Sequence, residues 1–196
     1  MRATQFKRQI ANVFSTAKCP VAIPVSDAAF RDALILATLD PSVRSIEFLS
    51  HASISQPALA LNGLVLVRED GRLFLDIQRP KELRHPDDED RLAQVLEARG
   101  IAHLKVDSEY LRREPLFSNS REVWRHHRHH VPFADRMQIM GCLAEGGPQC
   151  ILDLECRISP TTDVGSSLCA LACADLIELE LAERPLGPCT IVRERR

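Results

Sequence analysis

Two polar side chains end an otherwise apolar run in the middle of the chain. The run covers residues 73–78, and the polar residues are Asp76 and Gln78. Because alternate residues of a β-strand project to the same face, a strand here would place Asp76 and Gln78 side by side. A carboxylate beside a second polar group at a strand end is typical of metal and phosphate sites in nucleases. The alternative is a structural carboxylate that is satisfied by the backbone or by Arg79.

A second segment with unusual chemistry covers residues 121–130, where arginine and histidine dominate. On a helix, residues three or four apart are neighbours, so Arg121, Arg125 and either Arg128 or His129 would form one stripe. Such a stripe can bind phosphate groups with salt-dependent affinity. The alternatives are a solvated helix that leads into a linker and a transition-metal site at two histidines, for which no acidic or cysteine partner is near.

The elements that carry these residues follow from apolar periodicity and turn signals. Two apolar runs around Glu69-Asp70-Gly71 predict a β-hairpin over residues 62–80. The other elements predicted before Pro132 are a helix from Ser26 or Asp27 to Leu39, strands over 43–49 and near 54–61, a helix over 91–99, a strand over 101–106 and a helix over 117–130. Helix, strands, hairpin, helix and strand in this order predict an α/β sandwich around a mixed sheet.

The chain after Pro132 has a different character. Helices are predicted over 134–145, 149–156 and 164–174, followed by β-like runs over 175–181 and 189–193. Three helices and a hairpin in about 60 residues are the pattern of a winged helix. Its third helix has no Arg, Lys, Asn or Gln to contact base edges, and this part of the chain carries a charge of about −4. We therefore predict a packing or protein-docking module rather than a DNA reader.

Composition indicates a soluble globular protein. The chain has 196 residues with 45% hydrophobic and 27% charged residues, and its formal charge of −2 excludes a global positive field. No apolar run reaches the roughly 20 residues of a membrane span, and no apolar signal-peptide core follows the N-terminus, so we expect a cytoplasmic protein. The seven cysteines are odd in number and form no C-x-x-C pair, which favours small buried hydrophobes over metal ligands.

Several short motifs, in this order and spacing, give the chain a resemblance to a known family. They are Phe14-x-x-x-Lys18, the Arg31-Asp32 helix that runs to Asp40-Pro41-Ser42-Val43, residues 68–72 of the hairpin turn, and residues 100–106 leading into 111–116. With these motifs, the chain resembles the TnsA-like transposon endonucleases over nearly its whole length. The resemblance implies a restriction-endonuclease-like α/β domain with a mixed sheet at residues 1–131, followed by a small winged-helix domain at residues 132–196.

The same resemblance implies where catalytic residues would lie. The family has acidic residues near positions 26 and 30, where this chain has Ser26 and Phe30. The catalytic positions of the hairpin strands correspond to Asn62, Asp76 and Gln78, and only Asp76 is a carboxylate. Mg²⁺ needs two or more carboxylates to activate water, and a lysine normally stabilises the developing charge. We therefore expect that catalysis is impaired and that the protein has no cofactor. If the site is active, we expect Mg²⁺ with Asp76 as its ligand.

Three functions are compatible with these residues. The first is a catalytically impaired TnsA-like protein that binds nucleic acid or acts in a transposition or DNA-processing complex. Its phosphate contacts would be Arg121, Arg125 and Arg128, and a protein partner would bind the acidic winged helix. The second is an active metal-dependent DNA endonuclease with an atypical site. The third is a regulatory or structural protein-interaction module that binds no nucleic acid.

Overall fold

The computed structural model describes residues 13–52, 59–78, 84–159 and 161–195, and for residues 50–52 and 59–62 it describes the backbone only. In chain order the elements are β1 (Val13–Phe14), β2 (Ile23–Pro24), α1 (Ala28–Leu39), β3 (Val43–Ala52), β4 (Leu59–Arg68), β5 (Gly71–Ile77), α2 (Pro86–Ala98), β6 (Ile101–Val106), α3 (Ser108–Leu111), α4 (Leu116–Arg125), α5 (Phe133–Gly146), β7 (Gln149–Cys150), α6 (Ile151–Arg157), α7 (Val164–Cys173), β8 (Ile177–Leu179) and β9 (Ile191–Glu194). The predicted mixed α/β class is confirmed.

A four-stranded mixed sheet in the order β3-β4-β5-β6 forms the centre of the N-terminal part. Strands β3, β4 and β5 are antiparallel neighbours, and the predicted hairpin is the β4–β5 pair. Strand β6 runs parallel to β5. A parallel neighbour requires a crossover connection, and α2 supplies it.

Helices α1 and α2 cover opposite faces of this sheet. Leu64, Leu66 and Leu75 belong to the hydrophobic cluster that contains the buried side chains of α1. Val65 and Phe74 belong instead to a second cluster with the apolar face of α2. Because side chains alternate along a strand, Asp76, which follows Leu75, projects toward the α2 face.

The C-terminal part contains the three predicted helices α5, α6 and α7 and the predicted pair of strands β8 and β9. Strand β7 was not predicted, and it completes a three-stranded sheet in the order β7-β9-β8. Eight of the ten residues of α7 are buried. The side chains of α7 are therefore part of the core, in agreement with the predicted packing role of this helix.

The two parts share one hydrophobic cluster, which includes Phe14 and Trp124 from one part and Leu168 and Val192 from the other. The division at residues 131 and 132 stays a prediction.

The buried amide of Asn119 also joins the two parts. Its Nδ2 donates to the carbonyl oxygens of Leu181 at 2.8 Å and Arg184 at 2.7 Å, and its Oδ1 accepts from the backbone N–H of Leu186 at 2.8 Å. Because the amide is fully paired, its burial carries no desolvation penalty for an unmet polar atom.

The cysteines follow the prediction only in part. Cys19, Cys169 and Cys173 are buried, and burial raises the pKa of Cys169 to about 11 and that of Cys173 to about 12. Cys156 and Cys189 are exposed, so the prediction of burial was wrong for these two. Cys156 lies off the buried face of α6, which Ile151 and Leu154 form. Among the described helices, none has the length and apolar character of a membrane span.

Candidate functional site

Asp76 lies at the end of β5 with only 3% of its surface exposed. Its Oδ2 accepts a hydrogen bond from Arg84 Nη1 at 2.5 Å, and its Oδ1 accepts from Arg84 Nη2 at 2.8 Å. His103 Nε2 lies 3.2 Å from the same Oδ2. Both carboxylate oxygens therefore contact one guanidinium in a bidentate arrangement.

The parallel pairing of β5 and β6 positions this group. Asp76 is in register with Lys105, and Phe74 is in register with His103, so these four side chains lie on the α2 face. Arg84 comes two residues before Pro86, the first residue of α2. Helix α2 covers this same sheet face. The segment that leads into α2 therefore places Arg84 next to Asp76.

The electrostatics of this site favour the ion pair. Burial on its own would raise the pKa of Asp76, but the hydrogen bond and charge of Arg84, together with His103, hold that pKa below its ordinary value. The hydrogen bonds that Arg84 donates to Asp76 raise the pKa of Arg84 despite burial. Both groups are therefore charged at neutral pH.

The remaining charges near this site are also paired. Lys105, the register neighbour of Asp76, forms an ion pair with Glu89 of α2. Glu89 and Asp88 additionally raise the pKa of Arg84 through their charges. The acidic start of α2 thus contributes to holding Arg84 and Lys105 in place and does not supply a second free carboxylate to Asp76.

The residue types at this site do not fit the Mg²⁺ ion that the family resemblance implies. Mg²⁺ requires oxygen ligands in octahedral geometry, usually including carboxylates. Here the one buried carboxylate is engaged by a guanidinium and an imidazole. Within the described ranges there is no group of three or more His, Cys, Asp or Glu side chains that could hold a metal ion.

The structure describes only part of the predicted catalytic set of Asn62, Asp76 and Gln78. The side chain of Asn62, in β4, lies outside the described part of the chain. Gln78 is exposed, and its backbone N–H donates to Val106 O at 2.8 Å. Phe30 of α1 is buried on the opposite sheet face from Asp76, where its ring packs edge-on against Phe48. The catalytic roles of these positions stay predictions.

Arg84 and His103 were absent from the sequence-based site. Arg84 is only eight residues from Asp76, but no periodic pattern indicates that the chain turns back at this point. His103 is 27 residues away and becomes adjacent only because β6 pairs with β5. Alternation along the predicted strand 101–106 does place His103 and Lys105 on one face, which was the only available signal.

The arginine stripe on α4 is shorter than predicted. We expected a helix over residues 117–130, but α4 ends at Arg125. The backbone N–H of His126 and that of His127 bond to carbonyls three residues earlier, which tightens the last turn. The His127 ring also stacks on Trp124 at 4.4 Å. Four histidines and the approaching Pro132 provide little helix propensity, so Arg128 lies in a turn and not on the helix.

The neighbours of the three predicted phosphate-binding arginines differ. Arg121 is exposed with its guanidinium 5.5 Å from the centre of the Phe117 ring. Arg125 Nη1 forms an ion pair with Glu122 Oε2 at 2.7 Å, so its charge is partly neutralised. Arg128 is exposed. Arg121 shares the Phe117 ring with a further arginine, Arg112.

The arginine patch, as we name it, consists of Arg31, Arg112 and Arg121. Arg112 lies over the same Phe117 ring as Arg121, at 6.0 Å. All three arginines surround Asp32 of α1: burial raises the pKa of Asp32, and the charges of Arg121, Arg112 and Arg31 only partly oppose that rise. Three guanidinium groups around a single buried carboxylate leave this surface positive. The sequence did not indicate the patch because α1, α3 and α4 meet only in the folded chain.

Two comparisons with known proteins, one with family models and one with curated proteins, identify no relative of this chain. No model of a known protein family matches the chain, and a search among curated proteins gives no match.

Proposed function

We propose that the chain is a nuclease-fold protein with impaired metal-dependent catalysis that binds nucleic acid within a TnsA-like transposition or other DNA-processing complex. The element order supports this: one helix precedes three antiparallel strands, and a crossover helix leads to a fourth, parallel strand. This order agrees with the restriction-endonuclease-like fold that the resemblance implies. Three helices followed by a β-hairpin support a winged helix in the C-terminal part.

The observation that carries the loss of catalysis is the bidentate bond from Arg84 to Asp76. In a metal-dependent nuclease the cation beside such a carboxylate is a divalent ion that activates water. Here the cation is a guanidinium, which cannot lower the pKa of a bound water. A magnesium site would require a further carboxylate beside Asp76. Phe30, at a position where the resemblance implies an acidic residue, is instead a packed hydrophobe on the other sheet face.

The arginine patch is the surface that best suits nucleic acid. Arg112 and Arg121 are exposed and, within the described residues, have no carboxylate partner at ion-pair distance. Guanidinium groups bind phosphate oxygens strongly, and both of these groups lie over the Phe117 ring, which keeps them close together. The acidic C-terminal part is instead suited to protein contacts.

DNA binding through the patch is tested by its salt dependence. We expect the double variant Arg112→Ala/Arg121→Ala to reduce the slope of log K against log salt concentration by about 2, since each lost phosphate contact removes about 0.9. Fluorescence anisotropy with a labelled duplex and a labelled single strand, at several salt concentrations, measures this slope.

The matched control is the double variant Arg99→Ala/Arg136→Ala, which removes two exposed arginines outside the patch. Its slope should equal that of the unmodified protein. Equal slopes for all three proteins would reject the patch as the interface. No binding by the unmodified protein at low salt would favour the protein-interaction module without nucleic acid.

Nuclease activity is tested by nicking of supercoiled DNA in Mg²⁺ or Mn²⁺. We expect no nicking that depends on Asp76, because its oxygens are occupied by Arg84. The decisive comparison is between Asp76→Ala and Asp70→Ala, the latter at the exposed hairpin tip. Metal-dependent nicking that disappears in Asp76→Ala and persists in Asp70→Ala would establish the endonuclease alternative.

A further inference from the structure

A cavity of about 480 Å³ lies between α1, the sheet face that α1 covers in part, and strand β8. Its walls are largely leucine, including Leu36, Leu73, Leu75, Leu104 and Leu181. Helix α1 leaves this part of the sheet uncovered, so Leu36, Leu73 and Leu104 are only half-buried. The volume lies within the range of about 300–1,000 Å³ that is typical of small-molecule sites.

The carboxylates that line the cavity already have cationic partners. The ion pairs are Asp40 with Arg68 at 3.3 Å, Glu180 with Arg193 at 2.7 Å, and Glu178 with Arg195 at 3.0 Å. These three acidic groups therefore present no unbalanced negative charge to a ligand.

Two guanidinium groups in the lining can each donate a further hydrogen bond. Arg113 has no carboxylate at ion-pair distance among the described residues, and its guanidinium lies over the Tyr110 ring at 4.3 Å. The Nε of Arg68 is buried, and it has no hydrogen-bond acceptor among the described residues. An apolar cavity with unsatisfied guanidinium donors is complementary to a molecule with one apolar chain and one anionic end.

We infer that this cavity binds an anionic amphiphile, namely a fatty carboxylate whose chain contacts the leucines and whose head group contacts Arg113 and Arg68. A neutral apolar molecule would leave both guanidinium donors without an acceptor, and an ammonium amphiphile would be repelled by them. This site is separate from Asp76, which lies on the other sheet face, and does not depend on the proposed function.

The test is isothermal titration of the full chain with sodium decanoate below its micelle concentration, in parallel with decanol and decyltrimethylammonium. We expect one decanoate per chain, bound at least about tenfold more tightly than decanol, because hydrogen bonds to charged groups have large net contributions. Decyltrimethylammonium should not bind at this site.

Two variants locate the site, and one serves as a control. Arg113→Ala should weaken decanoate binding about tenfold, and Leu104→Gln should weaken it by introducing an amide into the apolar wall. Arg99→Ala removes an exposed arginine beside α2, on the other sheet face, and should leave the affinity unchanged. Far-UV circular dichroism establishes that each variant is folded.

Three results would overturn the inference. They are the absence of decanoate binding, an equal affinity for decanol, and an unchanged affinity in Arg113→Ala. A stoichiometry of several decanoate molecules per chain would also reject it, because that result indicates detergent-like coating of the surface.

Discussion

Replacing Arg84 with alanine is expected to lower the free energy of unfolding by about 3 kcal/mol at neutral pH, since removing one partner of a buried ion pair leaves the other charge uncompensated. The Asp76 side chain is only 4% exposed, and that of Arg84 is 23% exposed. In the described residues His103 Nε2 also lies within hydrogen-bonding distance of Asp76, and this single contact does not replace the two hydrogen bonds of the guanidinium.

The pH dependence of this loss follows from the direction of the pKa shift. In the unmodified protein the pKa of Asp76 is below its ordinary value of 3.8, so the ionised carboxylate stabilises the fold above about pH 4. That stabilisation is lost as the pH falls through the lowered pKa. In Arg84→Ala the effect of burial dominates and raises the pKa of Asp76. Protonation of Asp76 at low pH therefore stabilises the folded form of this variant relative to the unfolded form. The difference in the free energy of unfolding between the unmodified protein and Arg84→Ala should therefore be largest at neutral pH and should become smaller below about pH 4.

Urea denaturation between about pH 3 and 7 measures both effects. The control is Arg72→Ala, which breaks the exposed pair of Arg72 with Glu47 and should cost less than about 1 kcal/mol. A loss in Arg84→Ala no larger than that of the control, or one independent of pH, would contradict the role assigned to Arg84.

The second large effect is expected at Gly63, in β4. A Cβ at this position would lie 2.3 Å from Cζ and 2.4 Å from Cε2 of Phe74, and 3.1 Å from Leu75 O. Phe74 is fully buried between the sheet and α2, so its ring has little room to move. Gly63→Ala should therefore lower the free energy of unfolding by about 2–3 kcal/mol through overpacking.

A double-mutant cycle identifies the cause. Phe74→Leu should cost less in the Gly63→Ala background than in the unmodified protein, because the smaller side chain relieves the clash. Gly141→Ala is the matched control: this glycine is in α5, and an added Cβ meets nothing within 4 Å. That variant should be neutral or more stable by up to about 1 kcal/mol. Strict additivity of Gly63→Ala and Phe74→Leu would show that the ring is not the obstacle.

Features encoded by neighbouring residues were predicted well. Ser26 or Asp27 was expected to begin α1, and Asp27 is the N-cap: its Oδ1 accepts from Phe30 N at 2.9 Å. The hairpin turns where Asp70-Gly71 predicts it, with Gly71 at a φ of 140°. Strand β6 begins and ends at the predicted residues. Caps, turns and apolar alternation act over a few residues, so the linear order contains this information.

The chemistry of the site was less accessible from the linear order. The sequence identified Asp76 as a strand-end carboxylate of interest, but its partners depend on the parallel pairing of β6 and on the path of the chain into α2. Likewise, Arg121 was identified on α4, whereas Arg31 and Arg112 join it through helix packing around Asp32.

The linear order of this protein is thus sufficient for its α/β class, its hairpin and the positions of its charged residues. Which charges meet depends on strand order and helix packing, because ion pairs form through space between residues that have no fixed separation along the chain. Asp76 became an arginine partner because strand alternation points it to the sheet face from which Arg84 approaches. Folding places it beside α2.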